Sequence, residues 1–441
     1  MTKKAKVTII AIFLLAGMVT LFFYLSKKKS KSEFQLIEYV SEKDIAYHTN
    51  FIELIEEAIR YNSKVEKSIT NNIALNELKS KLVKSGLKLE NTYITYSLAG
   101  EKYGSVYLEV TDAMLFESAF TQLSDFFNFR RITENANLYI SGNTAVSAEK
   151  HAQFIKINFG DGALNALSEP KNKSSAFFRK LLEKPNLGII NTTGSSALDS
   201  TDYATFSYAY TDELSFTLDW KVTKNHPLKV NQNTTIPVYP SQKNKINATI
   251  NLDLEHLTSN LNPYLKEKGG NVIDLLPPAL MQLLTLWNGE ASLQLGGKSA
   301  QETIQYVTEF DDNFNQVETK IVKVDSVPDV GMYWGTQQAE KSLSFLYQLP
   351  NVRADKGKLQ VALLPSLFTK TEPNSLKVST QSIAFENQET KDLLYLKSDI
   401  PGIIGELKAK KTSTQNLRIS LILKDWSALR DPEKLKFSTF W

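Results

Sequence analysis

Residues 7–25 (VTIIAIFLLAGMVTLFFYL) form an unbroken apolar run of 19 residues without a single charge. A helix rises 1.5 Å per residue, so a run of this length nearly crosses the roughly 30 Å hydrocarbon core of a bilayer. Lys3, Lys4 and Lys6 precede it, and Lys27, Lys28, Lys29 and Lys31 follow. The run is long for a signal-peptide core. It ends in Phe22-Phe23-Tyr24-Leu25 rather than in the small residues of a cleavage site. The expectation is one uncleaved transmembrane helix, with everything after Lys31 tethered to a membrane. Leu14-Leu15-Ala16-Gly17 resembles the start of a bacterial lipobox, but Met18 follows, and the chain contains no cysteine to acylate. Lysines on both flanks nearly cancel under the positive-inside rule. A short amino-terminal arm before a single span points to a body outside the cytoplasm.

Charge narrows the partner class. The whole chain carries +3, yet residues 1–31 hold seven lysines and no acid, so residues 32–441 carry −4. A mildly acidic body lacks the clustered Lys and Arg that displace counterions from nucleic acid, and no nucleic-acid partner is expected. The flanking lysines suit anionic lipid headgroups instead.

Beyond the anchor, the pattern reads as α+β: mainly antiparallel sheets with packed amphipathic helices, preceded by one transmembrane helix. Asp44–Thr49 reads as a strand. Asn50 then caps a helix whose apolar face is Phe51, Leu54, Ile55, Ala58 and Ile59, with Glu53 placed for a capping box. A second helix is expected over Leu75–Lys84, ending at Gly86. Alternation marks strands over Thr92–Leu98 and Gly104–Val110. Asp112 is placed to cap a helix over Ala113–Phe127. Further strands are read at Leu138–Ser141, His151–Phe159, Leu187–Asn191, Tyr203–Tyr210 and Leu214–Val222, with a helix at Phe177–Leu182. Pro227, Pro237 and Pro240 break the pattern.

The expected domains are residues 1–32 as anchor and basic flanks, 33–225 as a first α+β domain, 226–245 as a linker or crossover, and 246–441 as a second α+β domain. Ala248–Leu252, Asp253, Leu254, Leu257 and Leu261 repeat the strand, cap and helix order of Ala46–Ala58, which suggests a divergent duplication. The second half continues with a helix at Ala279–Leu286 and strands at Glu290–Leu295, Glu302–Phe310, Gln316–Val324, Ser342–Tyr347, Lys358–Leu363, Leu393–Lys397 and Asn416–Leu423. Pro401 is placed to start a helix reaching about Lys408.

No catalytic, cofactor-binding or metal residue stands out, and no cofactor is expected. His48, His151, His226 and His256 are far apart and form no metal-spacing pair. Asp311-Asp312-Asn313 lacks the later glycine and glutamate of a calcium loop and reads as a turn. Ser195 and Ser196 lack the glycine two places on that a nucleophile elbow requires. Glu109 and Asp112 form an acidic pair only if the chain brings them across a cleft, and Asp112 already has a capping role. Gly160, Gly162, Gly296 and Gly297 fit turns better than a phosphate loop. Asn172, Asn191, Asn233 and Asn247 begin N-x-S/T triplets, but the composition looks bacterial and glycosylation is not expected.

The anchor, the segments IAYHTNFIELIEEAI and ATINLDLEHLTSNL, and LWNGEASLQLGG resemble uncharacterised membrane-anchored envelope proteins of Bacteroidota. That resemblance implies an exported α+β body and carries no reaction or site residue. The functional expectation is a membrane-anchored extracytoplasmic binding or structural module of the bacterial envelope. Its partners would be the lipid bilayer, through residues 7–25, and an envelope protein or extracellular polymer. The alternative is an exported hydrolase with an acidic active site.

Overall fold

In a computed structural model the described residues are 34–63, 68–98, 102–126, 129–132, 137–141, 145–164, 174–192, 198, 200–211, 213–222, 228–232, 235–240, 244–255, 278–310, 316–349, 351–355, 357–361 and 366–425. The chain divides into two units, Met1–Thr223 and Lys224–Trp441. Strand occupies 54% of the described residues and helix 20%. The fold is therefore mostly antiparallel β, which corrects the α+β expectation. Among the described residues no helix is long and apolar enough to cross a membrane. Residues 7–25 lie outside them.

The first unit contains β1 (Ile45–Thr49), α1 (Phe51–Tyr61), α2 (Ile69–Leu82), β2 (Leu87–Ser97), β3 (Tyr103–Val110) and α3 (Ala113–Phe126). After these come β4 (Arg130–Arg131), β5 (Leu138–Ile140), β6 (Val146–Lys150), β7 (Phe154–Gly160), α4 (Ala176–Leu181), β8 (Leu187–Asn191), β9 (Tyr203–Tyr210) and β10 (Leu214–Lys221). Antiparallel pairing gives the order β4-β5-β6-β7-β3-β2-β1-β8-β9-β10. Helix starts follow local chemistry. The Asn50 side chain accepts from the Ile52 amide at 3.0 Å, and Asp112 accepts from the Met114 and Leu115 amides at 3.0 Å each. Glu53 closes the α1 start by accepting from the Asn50 side-chain amide at 3.1 Å.

Helices α1, α2 and α3 bury Phe51, Ile55, Leu75, Leu82, Phe116 and Phe120 on one sheet face, over Val106, Leu108, Ile155 and Ile157. A short 3-10 turn at Leu36–Tyr39 and α4 cover the other face at Tyr93, Tyr107, Phe154 and Ile189. Burial on both faces weakens strict alternation, which is why β3 is buried through six consecutive residues.

The second unit contains β11 (Thr235–Val238), β12 (Ile246–Asn251), α5 (Pro278–Leu286), β13 (Trp287–Phe310), β14 (Gln316–Thr336), α6 (Ala339–Leu346), β15 (Val352–Asp355) and β16 (Lys358–Val361). It continues through β17 (Leu367–Glu372), β18 (Ser375–Ser379), β19 (Glu386–Glu389), β20 (Leu394–Ile400), β21 (Ile403–Ser413) and β22 (Asn416–Asp425). Its main order is β15-β16-β17-β18-β14-β13-β12-β20-β21-β22, again antiparallel throughout. β11 and β19 form a separate pair.

The two orders are the same path. β1 corresponds to β12, the β2–β3 hairpin to β13–β14, β4 through β7 to β15 through β18, and β8 through β10 to β20 through β22. The core-facing register repeats as well. Val106 sits opposite Ile157 and Leu108 opposite Ile155 in the first unit; Met332 sits opposite Val378 and Trp334 opposite Leu376 in the second. α3 and α6 each follow the corresponding hairpin, and Leu346 of α6 joins Leu283, Val330, Leu367, Leu376 and Val378 in the second core.

Two segments differ from the sequence expectation. Ser342–Tyr347 lies mostly in α6 rather than in a strand, because Ala339, Ser342 and Leu346 bury one helical face. The helix expected after Pro401 is instead β21. Pro401 and Gly402 form a tight connection with Gly402 at φ 90°, and Ile400 pairs directly with Ile403. The expected linker at 226–245 includes β11, and most of the helix expected after Asp253 lies outside the described residues.

Candidate functional site

Along the strand path that the two units share, they differ most in length at one hairpin. In the first, β2 and β3 close at Ser97 opposite Tyr103. In the second, the corresponding strands continue in register from Lys298 opposite Pro328 to Phe310 opposite Gln316. The extension, residues 298–310 paired with 316–328, is a two-stranded arm. At about 3.4 Å per residue its β13 side is roughly 40 Å long.

Gly296 and Gly297 set where the arm leaves the sheet. Both have positive φ, 109° and 87°, and the register shifts between Leu295 and Lys298. A bulge with two left-handed residues bends the strand, and glycine adopts that conformation without a Cβ penalty. Inward of the bulge, β13 pairs with β12 at residues 290–295, and β14 pairs with β18 at residues 331–335. Outward of it, among the described residues, each arm strand pairs only with the other. Gln301 donates to the Ser366 carbonyl at 3.0 Å near the arm's root.

The arm exposes large apolar side chains on both faces. Opposed residues of an antiparallel pair share a face. Tyr306, Phe310, Val322 and Val324 lie on one face, 66%, 63%, 50% and 61% exposed. Val307, Val317 and Ile321 are exposed on the other. Contiguous exposed apolar surface is uncommon on a soluble body and marks contact surfaces. An isolated two-stranded ribbon is also marginally stable in water, so one this long gains from being covered. The arm carries Lys298, Lys320 and Lys323 against Glu302, Glu309, Asp311, Asp312, Glu318 and Asp325. Lys323 pairs with Asp325 at 3.0 Å, and Glu309 accepts from the Thr319 hydroxyl at 3.1 Å.

The residues weighed for catalysis do not converge. Glu109 pairs with Lys88 at 3.2 Å while Asp112 caps α3. His48 is buried in β1. Its Nδ1 donates to the Leu182 carbonyl at 2.7 Å, and burial lowers its pKa. His151 lies 3.6 Å from Glu149 and stacks on Phe154. Asn247 accepts from Gln294 at 3.1 Å, and Asn191 ends β8. His226, His256, Ser195, Ser196, Asp311, Asp312, Asn313, Asn172 and Asn233 lie outside the described residues. Among the described residues no group of three His, Asp or Glu is placed to hold a metal ion.

Three buried carboxylates have structural partners. Glu149 binds Lys156 at 3.1 Å, Glu290 accepts from the Tyr333 hydroxyl at 3.0 Å and from Asn231 at 3.1 Å, and Asp329 accepts from the Tyr239 hydroxyl at 2.7 Å. Burial, together with the neighbouring carboxylate, raises the pKa of both tyrosines.

Sequence reasoning reads the arm as two strands and a turn but does not read it as a surface. Its alternating apolar residues resemble those of a strand with a core to face. The available signal is apolar character on both faces combined with the Gly296-Gly297 break.

No protein-family model matches the sequence, and no curated protein matches it. Solved structures of TP0453 are similar to part of the chain. Crystal form IV is 15% identical over 43% of this chain and 81% of that one, with a TM-score of 0.29. Crystal form III is 14% identical over 46% and 83%, with a TM-score of 0.30. Likeness at that level carries no argument about this chain.

Proposed function

We propose that this protein is a membrane-tethered binding module of the bacterial envelope, held by residues 7–25 with its body outside the cytoplasm, and that the arm is its contact surface. One observation carries the reading. Two units share a single strand path, and the second interrupts that path with an arm whose large apolar side chains face solvent. A repeated scaffold with one elaborated hairpin is the arrangement expected when contact is made at the elaboration. The tether rests on the apolar run and its flanking lysines.

Replacing residues 299–327 by Asn-Gly in the full chain tests the reading. The expected product is folded and still membrane-associated, but sediments from gently solubilised native membranes as a smaller species than the parent chain. Equal sedimentation of the two would overturn the assignment of the arm. For the orientation, the absence of cysteine gives a clean background. Met114→Cys, at a side chain 74% exposed, should react with a membrane-impermeant maleimide in intact spheroplasts. Reaction only after permeabilisation would place the body inside.

A further inference from the structure

We infer that the outer edge of β13 in the arm receives an extended peptide strand from a partner protein, uncharged in its centre and carrying basic residues seven positions apart. This rests on the arm being the contact surface and names what it takes.

Among the described residues the arm has two open edges, and they are not equivalent. Strand edges are normally protected by lysine, proline or a bulge, because their unpaired amides and carbonyls template another strand. The β14 edge has Lys320, Lys323 and Pro328. The β13 edge from Ser299 to Phe310 has no lysine, arginine, proline or glycine. β12 stops pairing with β13 at Ile246 opposite Leu295, so its cover ends before the arm begins. Added strands gain main-chain hydrogen bonds along such an edge.

Charge selects the occupant. Residues 303–308 (TIQYVT) are uncharged, and Glu302 and Glu309 bracket them, both exposed. An antiparallel partner strand spanning this stretch places two of its residues, seven apart, opposite the two carboxylates. Opposite charges at such cross-strand positions stabilise pairing, and like charges oppose it. The arm's six carboxylates against three lysines disfavour a second copy of the same arm. They disfavour an anionic lipid surface for the same reason.

The test uses the full chain in detergent micelles and three fluorescein-labelled, amidated probes. The first is Lys-Val-Thr-Val-Thr-Val-Thr-Lys. The second replaces both lysines by glutamate. The third is the first with alternate backbone amides methylated, which removes donors needed for strand addition. Fluorescence anisotropy should show the first binding about tenfold or more tighter than the second, and the third losing binding. The double variant E302K/E309K should reverse the preference between the first two, with its thermal unfolding unchanged because both positions are exposed. Equal affinity for the first two probes, undiminished binding of the third, or an unreversed preference would overturn the inference. So would an arm-dependent dimer in sedimentation, which would make a second copy the occupant. Failure here with a smaller species on arm replacement leaves the contact surface standing and rejects only its occupant. An unchanged species size rejects the contact surface itself.

Discussion

Replacing Tyr306 and Phe310 together by serine tests whether the arm's aromatic residues support the fold or stand apart from it. Full burial of a large apolar side chain contributes about 1.5–3 kcal/mol. Tyr306 and Phe310 are 66% and 63% exposed, so folding covers only about a third of each, or roughly 0.5–1 kcal/mol per residue. Even that loss falls on an element whose strands, outward of the bulge, pair only with each other among the described residues. Local opening absorbs it without unfolding the unit. The double variant should therefore shift global unfolding by less than about 1 kcal/mol. Leu376→Ala is the contrast: Leu376 is fully buried in the second core, and its truncation should cost about 2–5 kcal/mol. Urea denaturation of the full chain in micelles, followed by tryptophan fluorescence, reads both. Trp287 and Trp334 stack at 5.2 Å at the sheet-embedded end of the β13–β14 ladder and report on the second unit. If the arm variant lost as much stability as Leu376→Ala, the two rings would be holding the unit together and the reasoning would be refuted.

Three further outcomes follow from buried and paired groups. Gly331→Ala puts a Cβ against Tyr239, whose side chain is itself buried and donates to Asp329; the expected loss in urea denaturation is about 1–3 kcal/mol, and an unchanged stability would contradict that packing. Burial lowers the His48 pKa, and its Nε2 has no hydrogen-bond partner among the described residues. The unfolded chain therefore binds this proton more readily, and stability falls as pH drops below the ordinary value of 6.5; His48→Gln should flatten that slope, and an unchanged slope would remove His48 as its source. Hydrogen bonds from Lys377 and Lys370 hold the Glu372 carboxyl down to about 2, so its contribution is present above the unfolded value near 4.5 and is lost as pH falls from there toward 2. Glu372→Gln should lose that acid-side dependence, by a small amount because the side chain is 31% exposed.

Local chemistry was legible in the sequence where it is self-contained. Asn50 and Asp112 cap the helices they precede, and Glu302–Phe310 with Gln316–Val324 form a hairpin. The balance of strand to helix was less legible. β21 follows Pro401, a residue suited to the first turn of a helix, and its ladder with β20 and β22 makes it a strand. α6 is eight residues long, too short for its period to separate it from a strand. The shared path of the two units emerges from pairings between distant segments, such as β3 with β7 and β14 with β18, which no local pattern encodes. The exposure of the arm depends on its pairing, since among the described residues no third strand lies beside it. Alternation alone reports that side chains point to two faces and is silent on what covers them.

The most direct test of the arm as a contact surface is cysteine accessibility at exposed positions along it. Tyr306→Cys and Val324→Cys, with Ile383→Cys as a control at a side chain 42% exposed elsewhere in the second unit, each add the sole thiol to the chain. Purified full-length protein should react with maleimide at all three positions. In native membranes, thiols at 306 and 324 should become protected while the one at 383 keeps reacting. Equal labelling at all three positions in native membranes would contradict the account.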